Sequence, residues 1–206
     1  MREVVASGAG GADSLCLVER PEPVPGPGEV LLDVAATAVN RADLLQRDGN
    51  YPPPRGVTDV LGLEAVGTVI AVAADVATWS PGDRAMALLS GGGYAERVTV
   101  PAAHLLPIPA RFGWDEAAAI PEVFLTAYLT LVRLAQVQPG ERVLSHAAAS
   151  GVGTAAIQVA RARGATVLAT SRSARRLERP AALGATTLIA QEGRCAERVM
   201  QLTDGH

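Results

Sequence analysis

A strand, a loop of small residues and a helix follow one another over 142–163, and this segment constrains the chain most. Arg142-Val-Leu-Ser-His reads as a short strand. The loop Ser145-His-Ala-Ala-Ala-Ser-Gly-Val-Gly-Thr-Ala-Ala-Ile-Gln opens a helix over 152–163, closed by Gly164, a favoured residue just past a helix end. A strand over 166–170, a helix over 174–183 stopped by Gly184, a strand over 187–190 and a helix over 195–202 follow. Strand alternating with helix predicts a parallel, right-handed α/β sheet. Pro180 falls inside the second helix, where it removes a backbone bond at a cost of about 3 kcal/mol. That helix is therefore expected to be kinked or to begin later, which bears on where Arg175 and Arg176 point.

The chain upstream has another period. Pro25-Gly-Pro-Gly launches the apolar run Glu29-Val-Leu-Leu-Asp-Val-Ala. Further strands are expected within 61–76, at 83–89 after Pro81-Gly82, and at 94–100. Short strands with Gly/Pro turns suggest a compact β-rich barrel. A long helical stretch, 114–135, is interrupted by Pro121. The expected division is 1–116 and 117–206.

The loop at 145–158 sits where a dinucleotide pyrophosphate meets backbone N–H groups and the positive end of a helix. Ala148, Ser150 and Gly153 occupy the three positions of the G-x-G-x-x-G pattern, so the strict motif is not met. Ser150 either bonds a phosphate or caps the helix. Gly151, Val152 and Gly153 keep the backbone open. The alternative is a tight βα turn that holds no cofactor. An NAD site would carry Asp or Glu about twenty residues on. Ser171 stands there instead, followed by Arg172, Arg175 and Arg176. A hydroxyl and guanidinium groups suit a 2′-phosphate, which points to NADPH over NADH. The plainer reading is a solvated basic helix start.

Composition excludes several chemistries. Net charge is −3, with 18 basic against 21 acidic residues, so no nucleic-acid footprint is expected. All the basic residues are Arg, which removes a Walker lysine and a Schiff-base lysine. Cys16 and Cys195 are far apart, and His104, His146 and His206 are scattered. No thiolate zinc site and no metal is expected. No apolar stretch reaches the ~20 residues of a membrane span, and no secretory signal is visible. A cytoplasmic protein is the expectation.

Further segments carry a resemblance: Pro25-Gly-Pro-Gly-Glu-Val-Leu-Leu, Val39-Asn-Arg-Ala-Asp-Leu-Leu-Gln-Arg, Gly49-Asn-Tyr-Pro-Pro-Pro, Leu61-Gly-Leu-Glu, Pro81-Gly-Asp, Gly91-Gly-Gly-Tyr-Ala-Glu, Ala117-Ala-Ala-Ile-Pro-Glu, Leu125-Thr-Ala and the 146–153 loop. In this order they resemble the zinc-free quinone oxidoreductases of the medium-chain dehydrogenase/reductase superfamily, nearest the p53-inducible-oxidoreductase-like branch. The resemblance implies a GroES-like substrate domain followed by a Rossmann domain, with the active site in the cleft between them. Zinc relatives carry Cys and His near Asn40–Asp43 and Leu63, and this chain has neither. The implied reaction is NADPH-dependent reduction of a small quinone or conjugated enone by direct hydride transfer. A 2-enoyl thioester reductase is the alternative, and a non-enzymatic fragment that keeps only the dinucleotide loop is another.

By the same resemblance Asn40 and Asp43 lie near the nicotinamide end. Locally they read as a helix start, with Asn40 as N-cap and Asp43 in the first turn. Tyr51 either stacks on a quinone and donates a proton or anchors its loop. Thr126 resembles the family threonine on the nicotinamide side, or is a helix threonine bonding its own backbone. Glu64 is expected to balance a nearby Arg, and His146 to be structural.

Only three strands can be placed after Gly140, whereas a dinucleotide Rossmann sheet has six. The expectation is a C-terminally truncated chain with a partial, three-strand Rossmann domain. An exposed parallel edge then lowers stability and weakens the reaction. The family's usual homodimer edge would be missing as well.

Overall fold

The computed structural model describes residues 1–190, 195–203 and 205. Two compact units emerge, Met1–Glu122 and Val123–His206.

The first unit is built on antiparallel strands. The hairpin β1 (Arg2–Ala6) and β2 (Leu15–Glu19) precedes the run of strands predicted from the sequence. β3 (Glu29–Ala36), helix α1 (Arg41–Arg47), β4 (Glu64–Val72), β5 (Arg84–Leu88), β6 (Arg97–Pro101) and β7 (Leu105–Pro107) follow. The sheet order is β6-β3-β4-β5-β7. Alternation along the strands gives each face its own core. Val30, Leu32, Ala65, Val69, Ala85 and Val100 pack on one face. Val66 and Met86 turn to the other and meet Ala117 and Ala118 of helix α2 (Trp114–Ala118). The predicted long helix breaks before Pro121. Pro121 becomes the first residue of α3 (Pro121–Tyr128), a position whose N–H has no intrahelical partner.

The second unit is parallel. Strands β8 (Arg142–Ser145), β9 (Thr166–Ser171) and β10 (Thr186–Ile189) pair in the order β10-β9-β8. Helix α4 (Gly151–Ala162) buries Ile157 and Ala160 with Val167 and Ala169 of the sheet. α5 runs over Glu178–Ala182, and a single 3-10 turn at Arg175–Leu177 leads into it. The sequence-predicted helix thus begins later, and Pro180 falls in its first turn, where the missing N–H breaks no bond. α6 spans Cys195–Leu202. Among the described residues β8 and β10 are sheet edges, with Leu144 and Ile189 partly exposed. No described helix is long and apolar enough to cross a membrane.

Candidate functional site

In the second unit the site starts at the end of β8. Ala147 takes a positive φ of 50°, which turns the chain off the strand. The Ala148 N–H then donates to the Thr170 carbonyl of β9 at 3.1 Å, and the Ala148 side chain is fully buried. Ser150 is the N-cap of α4, and its Oγ accepts from the Gly153 N–H at 3.1 Å. Of the two sequence readings of Ser150, the cap is the one observed. Gly153 has a packing reason as well as an openness reason: a Cβ there would lie 2.6 Å from the Ala148 Cα. The first-turn N–H groups of Gly151 and Val152 have no acceptor within the helix and sit at its positive end.

Beside this turn lies a cavity of about 450 Å³ lined by His146, Ser150, Thr170, Ser171, Arg172 and Arg176, among others. His146 Nδ1 is 2.9 Å from Thr170 Oγ1, which fixes the ring at the cavity wall. Ser171 Oγ accepts from the Ser173 N–H at 3.3 Å. Arg172 and Arg176 are exposed and have no ion-pair partner among the described residues. Two guanidinium groups, hydroxyls and a helix N-terminus make a cavity suited to an anion. Ser150, Ser171, Arg172 and Arg176 are therefore brought together. Ala148 and Gly153 lie beneath them, and Gly151 and Val152 head α4 outside the lining. Thr126 sits half-buried in α3, and its hydroxyl makes no hydrogen bond among the described residues. Four residues on, Thr130 does bond back to the backbone: its Oγ1 donates to the Thr126 carbonyl at 2.9 Å.

In the first unit Asn40 caps α1, and its N–H donates to Asp43 Oδ2 at 2.7 Å. Asn40 Nδ2 donates to Glu64 Oε1 at 2.6 Å. Glu64 Oε2 accepts from the Glu122 N–H at 2.9 Å. Tyr94 donates its hydroxyl to Asp43 Oδ2 at 2.9 Å. Asp43 and Glu64 are buried, and Asp43 Oδ1 has no hydrogen-bond partner among the described residues. Burial raises the Glu64 pKa, with the Asp43 charge adding to it, while the two donated hydrogen bonds oppose the rise. Burial likewise raises the pKa of Glu122, helped by Glu64 and Asp43. The Tyr94 pKa is also raised, first by burial and then by Asp43, so its hydroxyl stays a donor.

The expectation that Glu64 balances an arginine is corrected here. Its carboxylate faces an amide and a backbone N–H, because the heads of α1 and α3 bring those donors to it. Tyr94 is a residue that sequence reasoning missed, although Gly91-Gly-Gly-Tyr points to it. Gly62, at φ 99°, leaves no room for a Cβ, which would lie 2.5 Å from the Tyr94 ring. A Cβ on Gly93 would lie 2.3 Å from the Glu64 carbonyl oxygen. The two glycine segments stack and deliver Tyr94 to Asp43. Tyr51 stands in the loop after α1, 48% exposed, with no hydrogen bond among the described residues. Among those residues no three His, Cys, Asp or Glu side chains gather as metal ligands, and His206 lies outside them.

Residues 26–110 match the alcohol dehydrogenase GroES-like domain family, and residues 151–206 match the zinc-binding dehydrogenase family. The human synaptic vesicle membrane protein VAT-1 homolog is 43% identical over 165 residues, 78% of this chain and 42% of its own length. The Thermus thermophilus quinone oxidoreductase, solved also as its NADPH complex, superposes with a TM-score of 0.83 at 44% identity, over 98% of this chain and 64% of that one. An NAD-dependent alcohol dehydrogenase superposes at 0.89 with 36% identity, over 100% and 68%. The CurK enoyl reductase superposes at 0.91 with 34% identity, over 99% and 64%. The chain thus spans under half the length of the curated relative and about two thirds of the solved ones. A GroES-like antiparallel unit and a Rossmann-like parallel sheet occur here in that order, and the chain belongs to the medium-chain dehydrogenase/reductase superfamily.

Proposed function

We propose that this chain carries the nucleotide half-site and acceptor-side residues of an NADPH-dependent oxidoreductase that reduces quinones or conjugated enones without zinc. The observation that carries the reading is the cavity where Ser171, Arg172 and Arg176 converge beside Ser150 and the head of α4. In this reading residues 117–206 bind the nucleotide and residues 1–116 the acceptor. NADPH fits the residues present. Arg172 and Arg176 are cations for a 2′-phosphate with no ion-pair partner among the described residues, Ser171 adds a hydroxyl, and no carboxylate lines the cavity among those residues. The N–H groups of Gly151 and Val152 take the pyrophosphate. Ala148, fully buried, and Gly153 bring the backbone close to it. Thr126, whose hydroxyl makes no hydrogen bond among the described residues, and Asn40 are assigned to the nicotinamide side in this reading.

Bound NADPH would supply the hydride. The chain's own part is orientation and a proton. Asn40, held by Glu64 and Asp43, orients the reacting groups, and the exposed Tyr51 hydroxyl or water gives the proton. Zinc independence rests on the sequence: Leu63 stands where zinc relatives carry His, and Asn40–Asp43 holds no Cys. A quinone needs little Lewis-acid help, because conjugation spreads the incoming charge. The superposition on the CurK enoyl reductase supports a second acceptor class, the enoyl thioesters.

A fluorescence titration with NADPH, and NADH as control, tests the reading. Saturable binding that prefers NADPH, followed by turnover of a simple benzoquinone, is expected. A folded chain that binds neither nucleotide overturns it. Turnover of an enoyl thioester in place of the quinone selects the second acceptor class.

A further inference from the structure

Strand register brings His146 beside Thr170. Ser145 and Ala169 are the last pair of the β8–β9 ladder, and the next residue of each strand follows one step on. His146 Nδ1 lies 2.9 Å from Thr170 Oγ1. Thr170 is 1% exposed, and Nδ1 is the partner its hydroxyl has among the described residues. The hydroxyl has one proton to donate, and an imidazole nitrogen of a neutral ring either donates or accepts. Were Nδ1 to carry the proton, it would donate to Oγ1, and the Thr170 hydroxyl proton would be left buried without an acceptor, an arrangement native interiors avoid. With Thr170 as the donor both groups are satisfied. Nδ1 is then the acceptor, and the ring proton of neutral His146 sits on Nε2.

Nε2 makes no hydrogen bond among the described residues, and His146 is exposed on the wall of the cavity that Arg172 and Arg176 also line. Guanidinium groups donate and never accept. With its accepting nitrogen spent on Thr170, His146 joins them as a donor. We propose that His146 is a ligand-contacting residue of this cavity, that its Nε2–H donates to a phosphate oxygen of the bound nucleotide, and that Thr170 is the positioning residue that keeps that nitrogen a donor. The proposal rests on the reading that the cavity takes a phosphorylated nucleotide, and it adds a recognition group to the arginines and the head of α4.

The full chain, labelled with ¹⁵N at histidine, tests the positioning without a ligand. It is read above about pH 8, beyond the range in which histidine ordinarily changes charge. His146→Phe removes one set of imidazole signals and so identifies them. The parent is expected to show a protonated Nε2 and an Nδ1 shifted as a hydrogen-bond acceptor. Thr170→Val deletes the hydroxyl, leaves the backbone bond from the Ala148 N–H in place, and is expected to move Nδ1 to the position of an unbonded nitrogen. Thr170→Ser keeps a hydroxyl and is expected to restore the parent shift. A protonated Nδ1 in the parent, or an Nδ1 that Thr170→Val leaves unmoved, overturns the positioning.

The contact is read in two further ways. Inorganic pyrophosphate, a probe that needs no recognition of the nucleoside, is expected to move the parent's His146 Nε2 signal saturably. NADPH and NADH titrations then compare the parent with His146→Phe, which keeps a ring without a donor, and with His146→Gln, whose amide N–H replaces the donor. Both variants lose the Thr170 contact alike, so the difference between them isolates the donor. His146→Phe is expected to bind NADPH roughly tenfold more weakly, the worth of one hydrogen bond, and His146→Gln to recover most of that loss. A loss for NADPH alone assigns Nε2 to the 2′-phosphate, and an equal loss for NADH assigns it to the pyrophosphate; either supports the contact. Parent-like NADPH binding by His146→Phe, or a His146→Gln no better than His146→Phe, overturns it. A parent that binds neither nucleotide defeats the proposed function. The pyrophosphate titration then decides the contact alone, and an Nε2 signal that stays in place overturns it.

Discussion

The Tyr94 hydroxyl donates to Asp43 Oδ2 at 2.9 Å from a glycine loop 51 residues away in sequence. Asp43 Oδ2 also takes the Asn40 N–H, and Oδ1 has no hydrogen-bond partner among the described residues. Tyr94→Phe removes one of the two donors that a buried carboxylate has among the described residues. It is expected to cost about 1–3 kcal/mol, the usual penalty for a buried acceptor left short of partners. Urea unfolding followed by Trp79 and Trp114 fluorescence reads this out, since both lie in Met1–Glu122. An unchanged midpoint would show that the hydroxyl holds nothing.

Gly62 and Gly82 share a φ of 99° but differ in surroundings. Around Gly82 nothing lies within 4 Å of an added methyl, whereas at Gly62 the Tyr94 ring and backbone lie within 2.6 Å. Gly82→Ala is expected to lose only backbone strain, roughly 1–2 kcal/mol. Gly62→Ala adds overpacking of about 1–3 kcal/mol. Equal melting temperatures for the two variants would contradict the packing account.

Removing either guanidinium from the cavity proposed to hold the nucleotide is expected to separate the two cofactors. Arg172→Ala and Arg176→Ala are each expected to weaken NADPH about 10- to 100-fold, the worth of a charged hydrogen bond, and to leave NADH unchanged. Equal losses for both nucleotides would mean that these arginines do not read the 2′-phosphate.

Glu64 makes stability depend on pH in a known direction. Burial raises its folded pKa above the ordinary 4.5, so from there upward the folded state holds more proton than the unfolded chain. Stability from this group falls as pH rises through that window, because the bare charge is buried. Glu122 shifts the same way and adds to it. The melting temperature of Glu64→Gln minus that of the parent is expected to grow as pH rises above 4.5. A difference that shrinks or stays flat would refute it.

Gly153→Ala places a methyl 2.6 Å from Ala148 backbone that cannot move freely. A loss of roughly 1–3 kcal/mol is expected, together with weaker NADPH binding, because the loop must shift away from α4. Calorimetry of the variant, with and without nucleotide, checks both.

Much of the second unit is legible in the sequence because its signals are local. The period change after residue 140, Gly164 and Gly184 as helix stops, and Ser150 at the head of α4 each act within a few residues. The β1–β2 hairpin lies outside the strands predicted from the sequence, although Gly8, Gly10 and Gly11 mark the turn between its two strands. Glu64 misleads for another reason: its position in the chain shows a carboxylate awaiting a partner and nothing about which donor will arrive.

From the sequence alone come most element types downstream of Pro25, their order, the small-residue loop and the arginines beside Ser171, because propensity, capping and apolar period are properties of neighbouring residues. The tertiary structure alone decides that Asn40 meets Glu64, that Tyr94 meets Asp43, and that Thr170 closes on His146. These pairs lie 24, 51 and 24 residues apart. Strand register and glycine stacking set which side chains come into hydrogen-bond reach across such gaps, and no local pattern encodes that distance.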